Sequence, residues 1–433
     1  MVRCREARSA RAAQERLAAA GVEAVALPGA PDQARTAPDG EDVVIIADGG
    51  SVDAPTFSKA ARADERRPVA VLAGLSAAAP PEPGLAHSTV FAGAVALDAP
   101  PALLSAQIAA ATRAGVAAEE RERRRATAQA LGYAEPKPLE ARKLKALYIG
   151  PPSPIFLSLE RALGAHDGLV AAAFTSFTGF DHLHDEHFDA VVINGATNAM
   201  TAISLCAALR RNASLHHLPT LMITAAGDEA RAAAAIERGA SAVVEVNAPC
   251  EAPLGWLFEA IRRERRRSAD DHALRGLRDI MGDARTGLFQ TAPFEAHLKR
   301  MADDHHASGR PLALAALRVL PAHGARIPSP EAWQRGFGEI ANLAGRLVRE
   351  ADCAATMGPD LIAVGLPATN HLGGRRLAER IASVGECTAF AAGERDAGPL
   401  VFEQSVVELQ PGESGAGLMA RALRVFELES ASA

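Results

Sequence analysis

Across residues 145–246, four short apolar runs alternate with amphipathic tracts, and that alternation leaves the middle of this chain few folds to choose from. Residues 145–150 (KALYIG), 188–193 (FDAVVI), 220–224 (TLMIT) and 242–246 read as buried strands. Helical spacing occupies 158–164, 200–211 and 229–238 between them. Strands that are apolar on both faces and joined through helices build a parallel sheet covered on both sides. The preceding residues repeat the theme more faintly, with strands over 24–27, 42–46 and 69–72 and helices over 10–20 and 101–112. Residues 1–4 barely leave room for a first strand, and 76–84 (SAAAPPEPG) reads as a loop.

Two Arg- and Glu-rich tracts divide the 433 residues into three blocks. One lies at 119–130 (EERERRRATAQA), before the break at Pro136 and Pro138; the other runs over 260–280. Interleaved acids and bases on a helix mark a solvated or coiled-coil-like connector rather than a nucleic-acid patch. The boundaries predicted are 1–118, a helical linker 119–142, 143–262, a helical linker 263–282, and 283–433. A net charge of −6 with mixed signs and only 4% aromatic residues argue against nucleic-acid binding. No run reaches the ~20 apolar residues of a membrane span, and the basic N-terminus lacks a signal peptide's apolar core. Five scattered cysteines without a CxxC pair fit a reducing cytoplasm and no zinc site. Residues 181–187 (DHLHDEH), His216–His217 and His305–His306 read as solvated helix ends rather than metal ligands.

The middle block resembles a response-regulator receiver domain. Residues 217–242 (HLPTLMITAAGDEARAAAAIERGASA) carry the likeness, with the hydroxyl of Thr224 and the Gly239–Ala240 pair. That family phosphorylates an aspartate at the end of its third strand, with Mg²⁺ held by acidic residues and a lysine facing the phosphoryl group. Here the acceptor position is Asn194, Gly150 and Pro151 replace the acidic pair, and Val246 or Asn247 replaces the lysine. The resemblance therefore implies a block that is not phosphorylated. In the first block Ala47 falls at the acceptor position and Asp48 one residue later. Both blocks are expected to serve packing and dimerisation.

From Asp283 onward the chain resembles the GGDEF, or diguanylate cyclase, family. The likeness is carried by 283–301 (DARTGLFQTAPFEAHLKRM), 309–317 (GRPLALAAL), 349–369 (READCAATMGPDLIAVGLPAT) and 372–381 (LGGRRLAERI), with an echo of the last helix in LMARALRVFEL. The fold implied is two receiver-like, flavodoxin-type parallel-sheet domains followed by a GGDEF-type α/β domain with a central mixed sheet. A cyclase half-site holds GTP through two metal ions on carboxylates. One family carboxylate is replaced by Arg318. The hairpin reads Gly358-Pro359-Asp360-Leu361-Ile362, so its metal-binding glutamate is Leu361, and Pro359 removes an N–H and fixes φ where a second glycine belongs. Residues 319–329 lack the family's guanine-binding asparagine and aspartate and its phosphate lysine. The expectation is an inactive homologue with no catalytic and no metal-binding residues.

The family's inhibitory site, RxxD, ends five residues before the hairpin and binds cyclic di-GMP. Arg349-Glu350-Ala351-Asp352 stands in that register before Gly358. An arginine fork matches guanine O6 and N7, and a carboxylate accepts from guanine N–H groups. Arg380 maps onto the secondary arginine, and Arg375 and Arg376 lie close in sequence. Arg267–Asp270 and Arg300–Asp303 share the spacing but not the register and read as helix-surface pairs. The order of two receiver-like blocks before a degenerate GGDEF block implies, by resemblance, a cytoplasmic homodimer, often placed at a cell pole, in which cyclic di-GMP is a ligand and not a cofactor. Its implied protein partners belong to a ClpXP-type protease-adaptor pathway of cell-cycle control. Residual cyclase activity and phosphorylation at Asp48 are the competing readings.

Overall fold

The structure, a computed structural model, describes residues 2–4, 6–28, 43–47, 70–80, 91–323, 329–387 and 399–432. Asp48 lies outside them.

The first sheet contains β1 (Val2–Cys4), β2 (Ala26–Pro28), β3 (Val43–Ile46), β4 (Ala70–Leu75) and β5 (Gly93–Ala96) in the order β2-β1-β3-β4-β5, parallel throughout. The second repeats that winding with β6 (Lys145–Ile149), β7 (Leu169–Ala173), β8 (Ala190–Asn194), β9 (Thr220–Thr224) and β10 (Ala242–Glu245), ordered β10-β9-β8-β6-β7. Three residues suffice for β1, which pairs between β2 and β3 although the sequence left it little room. The strands β5 and β7 were not legible. β7 is an alanine-rich edge strand with mixed exposure, which lacks the apolar signature of a central strand.

Helices α1 (Ala7–Ala19) and α2 (Pro101–Ala130) accompany the first sheet. The second carries α3 (Pro154–Gly164), α4 (Ser176–Asp185), α5 (Ala199–Arg211), α6 (Glu229–Glu237) and α7 (Glu251–Met281). The charged tracts are not separate linkers. They are the distal halves of α2 and α7, helices without a proline in their interiors to stop them, and the two pack along each other. Residues 133–144, beyond α2, form neither helix nor strand. The edge strand β5 is capped by side chains: Glu259 accepts from the Ala94 N–H (3.2 Å) and Gln107 from the Ala96 N–H (2.9 Å). Satisfying edge N–H groups in this way closes the strand to further pairing.

The third sheet, β12-β13-β11-β14, is built from β11 (Leu312–Pro321), β12 (Cys353–Thr356), β13 (Leu361–Pro367) and β14 (Leu400–Glu408). Among the described residues its three strand pairings are antiparallel, so the parallel part of the expected mixed sheet shrinks to one bridge. The single bridge Phe289–Ala355 is the parallel contact of this block among the described residues. β12 and β13 form a hairpin, whereas β11 meets β13 and β14 across intervening helices, and composition does not encode pairing direction. Helices α8 (Thr291–Ser308) and α11 (Gly415–Ser432) cover one face, α9 (Pro330–Leu347) and α10 (His371–Cys387) the other.

Candidate functional site

Helix α9 places the RxxD residues. Ser329 caps its first turn by accepting from the Ala332 N–H (3.2 Å), and Pro330 follows at its first position. The helix ends at Leu347, Val348 is extended, and residues 349–352 make a turn closed by the Asp352 N–H donating to the Arg349 carbonyl (2.9 Å). Strand β12 then begins at Cys353.

Asp352 is tied into its own turn. It is 7% exposed, and its Oδ2 accepts from the Arg349 N–H at 2.8 Å. Burial pushes its carboxyl up to about 6, against the pull of that hydrogen bond and of the Arg349 and Arg124 charges. Among the described residues nothing donates to its other oxygen, Oδ1. The Asp352 carbonyl accepts from Arg124 Nη2 at 2.8 Å.

Arg349 is exposed, and its guanidinium has no hydrogen-bond or ion-pair partner among the described residues. It lines a cleft of about 960 Å³ between α2, α7 and the third block. Arg113 of α2 and Arg263 of α7 line the same cleft, equally without ion-pair partners among the described residues. Burial, and then the charges of Arg267 and Arg349, weaken the hold of Arg113 on its proton. Arg380 does not line this cleft: its Nη2 donates to the Leu347 carbonyl (2.6 Å), two residues before Arg349. Arg375 pairs with Glu379 on its own helix (3.1 Å).

The hairpin positions are occupied by packing. Leu361 lies against the apolar cluster under α8 and α11, and the β11–β13 register puts Arg318 directly opposite it. Arg318 donates to Glu403 (2.6 Å) and to the Phe426 carbonyl (3.1 Å), its guanidinium 5.1 Å from the Phe426 ring centre. Trp333 reaches over to the Pro359 carbonyl (3.0 Å) and, with Gly358, lines a second cleft of about 1130 Å³.

In the second block the pocket at Asn194 is filled by the block's own groups. Asn194 donates to the Tyr148 hydroxyl (3.0 Å) and the Pro151 carbonyl (2.8 Å), and its own oxygen accepts from the Ala196 N–H (3.1 Å). Gly150, at φ +123°, brings the backbone so close to Asn194 that a Cβ would sit 2.9 Å from the Asn194 carbonyl oxygen.

The histidines divide. His182 faces Glu186 across one turn at 3.6 Å, at an exposed helix end. His305 corrects the solvated reading: it is buried, its Nδ1 lies 2.7 Å from the Met301 carbonyl, and its Nε2 accepts from the Ala368 N–H (3.1 Å). Burial lowers its ring to about 3. Among the described residues no three His, Cys, Asp or Glu side chains gather as a metal site, and no helix is long and apolar enough to cross a membrane.

Sequence reasoning missed Arg124, treating its tract as solvated. Ala117, Glu120, Arg124, Thr127 and Ala128 are all buried. That spacing of three and four is the trace of one covered helix face, written partly in charged residues.

No family model matches the chain, and no curated protein matches it. Solved structures do. The GGDEF domain of DgcB from Caulobacter crescentus, in complex with cyclic di-GMP, is 20% identical with a TM-score of 0.30, over 35% of this chain and 88% of that one. The FimX GGDEF domain of Pseudomonas aeruginosa is 19% identical with a TM-score of 0.29, over 33% and 90%. A putative response regulator from Chloroflexus aurantiacus is 20% identical with a TM-score of 0.25, over 29% and 99%.

Proposed function

We propose that this chain is a non-catalytic effector that binds cyclic di-GMP at the Arg349–Asp352 turn and passes its occupancy to a protein partner. The observation that carries the reading is the Arg349 guanidinium, unpaired among the described residues and set on the rim of a cleft large enough for a dinucleotide. Guanine O6 and N7 are the matching acceptors for that fork. Asp352 stands behind the wall of the cleft rather than in its lining: Oδ2 keeps the turn closed, and Oδ1 is the acceptor that would meet guanine N–H groups. Arg113 and Arg263 supply positive charge for the two phosphodiesters. Arg380, the expected secondary arginine, lies outside the cleft and instead holds the end of α9 beside Arg349.

Cyclase chemistry is absent from this reading, because the two positions for family carboxylates hold Arg318 and Leu361, packed against α11. Phosphorylation of the second block is absent as well, since Asn194 has spent its amide on its neighbours. The order of two receiver-like blocks before a degenerate GGDEF block resembles PopA, and on that resemblance the partner belongs to a ClpXP-type adaptor pathway and the chain acts as a homodimer.

Calorimetric titration of the full chain with cyclic di-GMP tests the reading. The wild type should bind at micromolar concentration or tighter, and Arg349→Ala should weaken binding about hundredfold, the worth of a charge-assisted fork. No heat from the wild type, or an Arg349→Ala protein that binds as tightly, overturns it.

A further inference from the structure

Arg124 stands 228 positions before the residue it holds. It is 1% exposed, and its Nη2 donates to the Asp352 carbonyl at 2.8 Å. Its Nη1 reaches the Leu274 carbonyl of α7 (3.4 Å), its Nε donates to Glu120 (2.8 Å), and its guanidinium lies 5.2 Å from the Phe289 ring centre. Glu120, fully buried, also meets His297 Nε2 at 2.7 Å, whose Nδ1 is 3.1 Å from the Thr127 hydroxyl. A charge carried into the interior is tolerated only where its hydrogen bonds are made, and this one is turned toward the backbone of the RxxD turn.

We propose that Arg124 is a positioning residue for the ligand turn, through which the connector helix α2 sets the geometry and the charge state of Asp352. The inference rests on the proposed binding of cyclic di-GMP at that turn. Two effects follow from the contacts. The main-chain bond fixes the last residue of the turn, so that Arg349 and Asp352 are presented in one arrangement and little ordering is left for binding. The charge next to Asp352 favours its carboxylate, and Glu120 beside it opposes that. The charged and titratable groups that face Asp352 are Arg349 on its own turn, Arg124 and Glu120 on α2, and the Cys353 thiol on β12. Arg275 and Arg278 of α7 stop at Glu350.

The test is titration of the full chain with cyclic di-GMP from pH 5 to pH 8, with thermal unfolding and hydrogen exchange on the same proteins. Arg124→Met should weaken binding about tenfold at pH 8 and move the pH midpoint of binding upward. Glu120→Gln keeps the volume and should move that midpoint downward, an opposite sign that a loss of stability alone does not produce. Arg310→Met, which breaks the buried pair with Glu119 at the same helix interface, should lower the unfolding temperature and leave both affinity and midpoint in place. Equal losses in Arg124→Met and Arg310→Met, or midpoints moving the same way in Arg124→Met and Glu120→Gln, overturn the inference. If the wild type does not bind, the proposed function falls by itself. Exchange at the amides of Asp352 and Cys353 then decides about Arg124: faster exchange in Arg124→Met than in Arg310→Met upholds its hold on the turn, and equal exchange removes it.

Discussion

The end of β8 and the end of α9 offer a contrast between two positions that resemble ligand or phosphoryl sites. At the first, Asn194 has every polar group occupied by its own block, with Tyr148, Pro151 and Ala196 as partners. At the second, the turn backbone is fixed on both sides while the Arg349 guanidinium is unpaired among the described residues and faces a cleft shared with Arg113 and Arg263. A buried polar group without a partner costs on the order of 1–3 kcal/mol, so a pocket that no longer takes a ligand is closed from within. The cleft also carries Glu259, Glu264, Asp271 and Glu350, so what sets Arg349, Arg113 and Arg263 apart is that they are unpaired among the described residues.

Asn194→Asp breaks the contrast from the closed side and should have the largest effect. The new carboxylate would lose two donated hydrogen bonds and face the Pro151 carbonyl, acceptor against acceptor, in a buried position. The second block should lose about 3 kcal/mol, read by chemical denaturation. Acetyl phosphate should leave the protein unlabelled, because Gly150 and Pro151 provide no carboxylate for Mg²⁺. Labelling at position 194 would show that the pocket is open after all.

On the open side the sharper measurement is pH. The folded pKa of Asp352, about 6, lies above its ordinary 3.8, so the folded protein keeps that proton while the unfolded chain has released it. Its contribution to stability is therefore fully present below about pH 4 and is lost as pH rises through 6. His305 has the opposite sign: lowered to about 3 from 6.5, it contributes stability that is present above pH 6.5 and is lost as pH falls toward 3. Between pH 4 and 6 the two slopes oppose, so Asp352→Asn should leave stability climbing more steeply with pH across that window, seen by thermal unfolding. A ligand that needs the carboxylate should bind about tenfold more weakly per pH unit below 6 and show no such dependence in Asp352→Asn. A flat binding profile in the wild type would remove Asp352 from the site.

Legibility in the sequence follows the same physics. The strands β6, β8 and β9 declare themselves as apolar runs because they are covered on both faces; of the two edges, β10 keeps a run of valines and β7 is mostly alanine. The position of Arg349 could be reached by counting back from the hairpin. The state of Asp352 could not, because it is set first by burial, which the fold creates, and in smaller part by Arg124, from a tract whose charges read as solvated. Nor could the cleft be foreseen, since Arg113 and Arg263 lie far from the RxxD turn in sequence and on two different helices.

The smallest effect is expected at the hairpin, where Leu361→Glu introduces the carboxylate that the resemblance to the GGDEF family leads one to expect there. Leu361 is half-buried against the cluster under α8 and α11, so the exchange should cost about 1 kcal/mol of apolar contact. Directly paired residues of an antiparallel ladder have Cβ atoms about 5 Å apart, which brings the introduced carboxylate opposite Arg318. It should pair with that guanidinium, which already meets Glu403, and recover part of the loss as an ion pair. With a cation where the second metal carboxylate belongs, incubation with GTP and Mg²⁺ should yield no cyclic di-GMP. Product from Leu361→Glu alone would mean that a single residue separates this block from a working cyclase, and the closed and open sites would then have to be compared as a substrate site and its regulator.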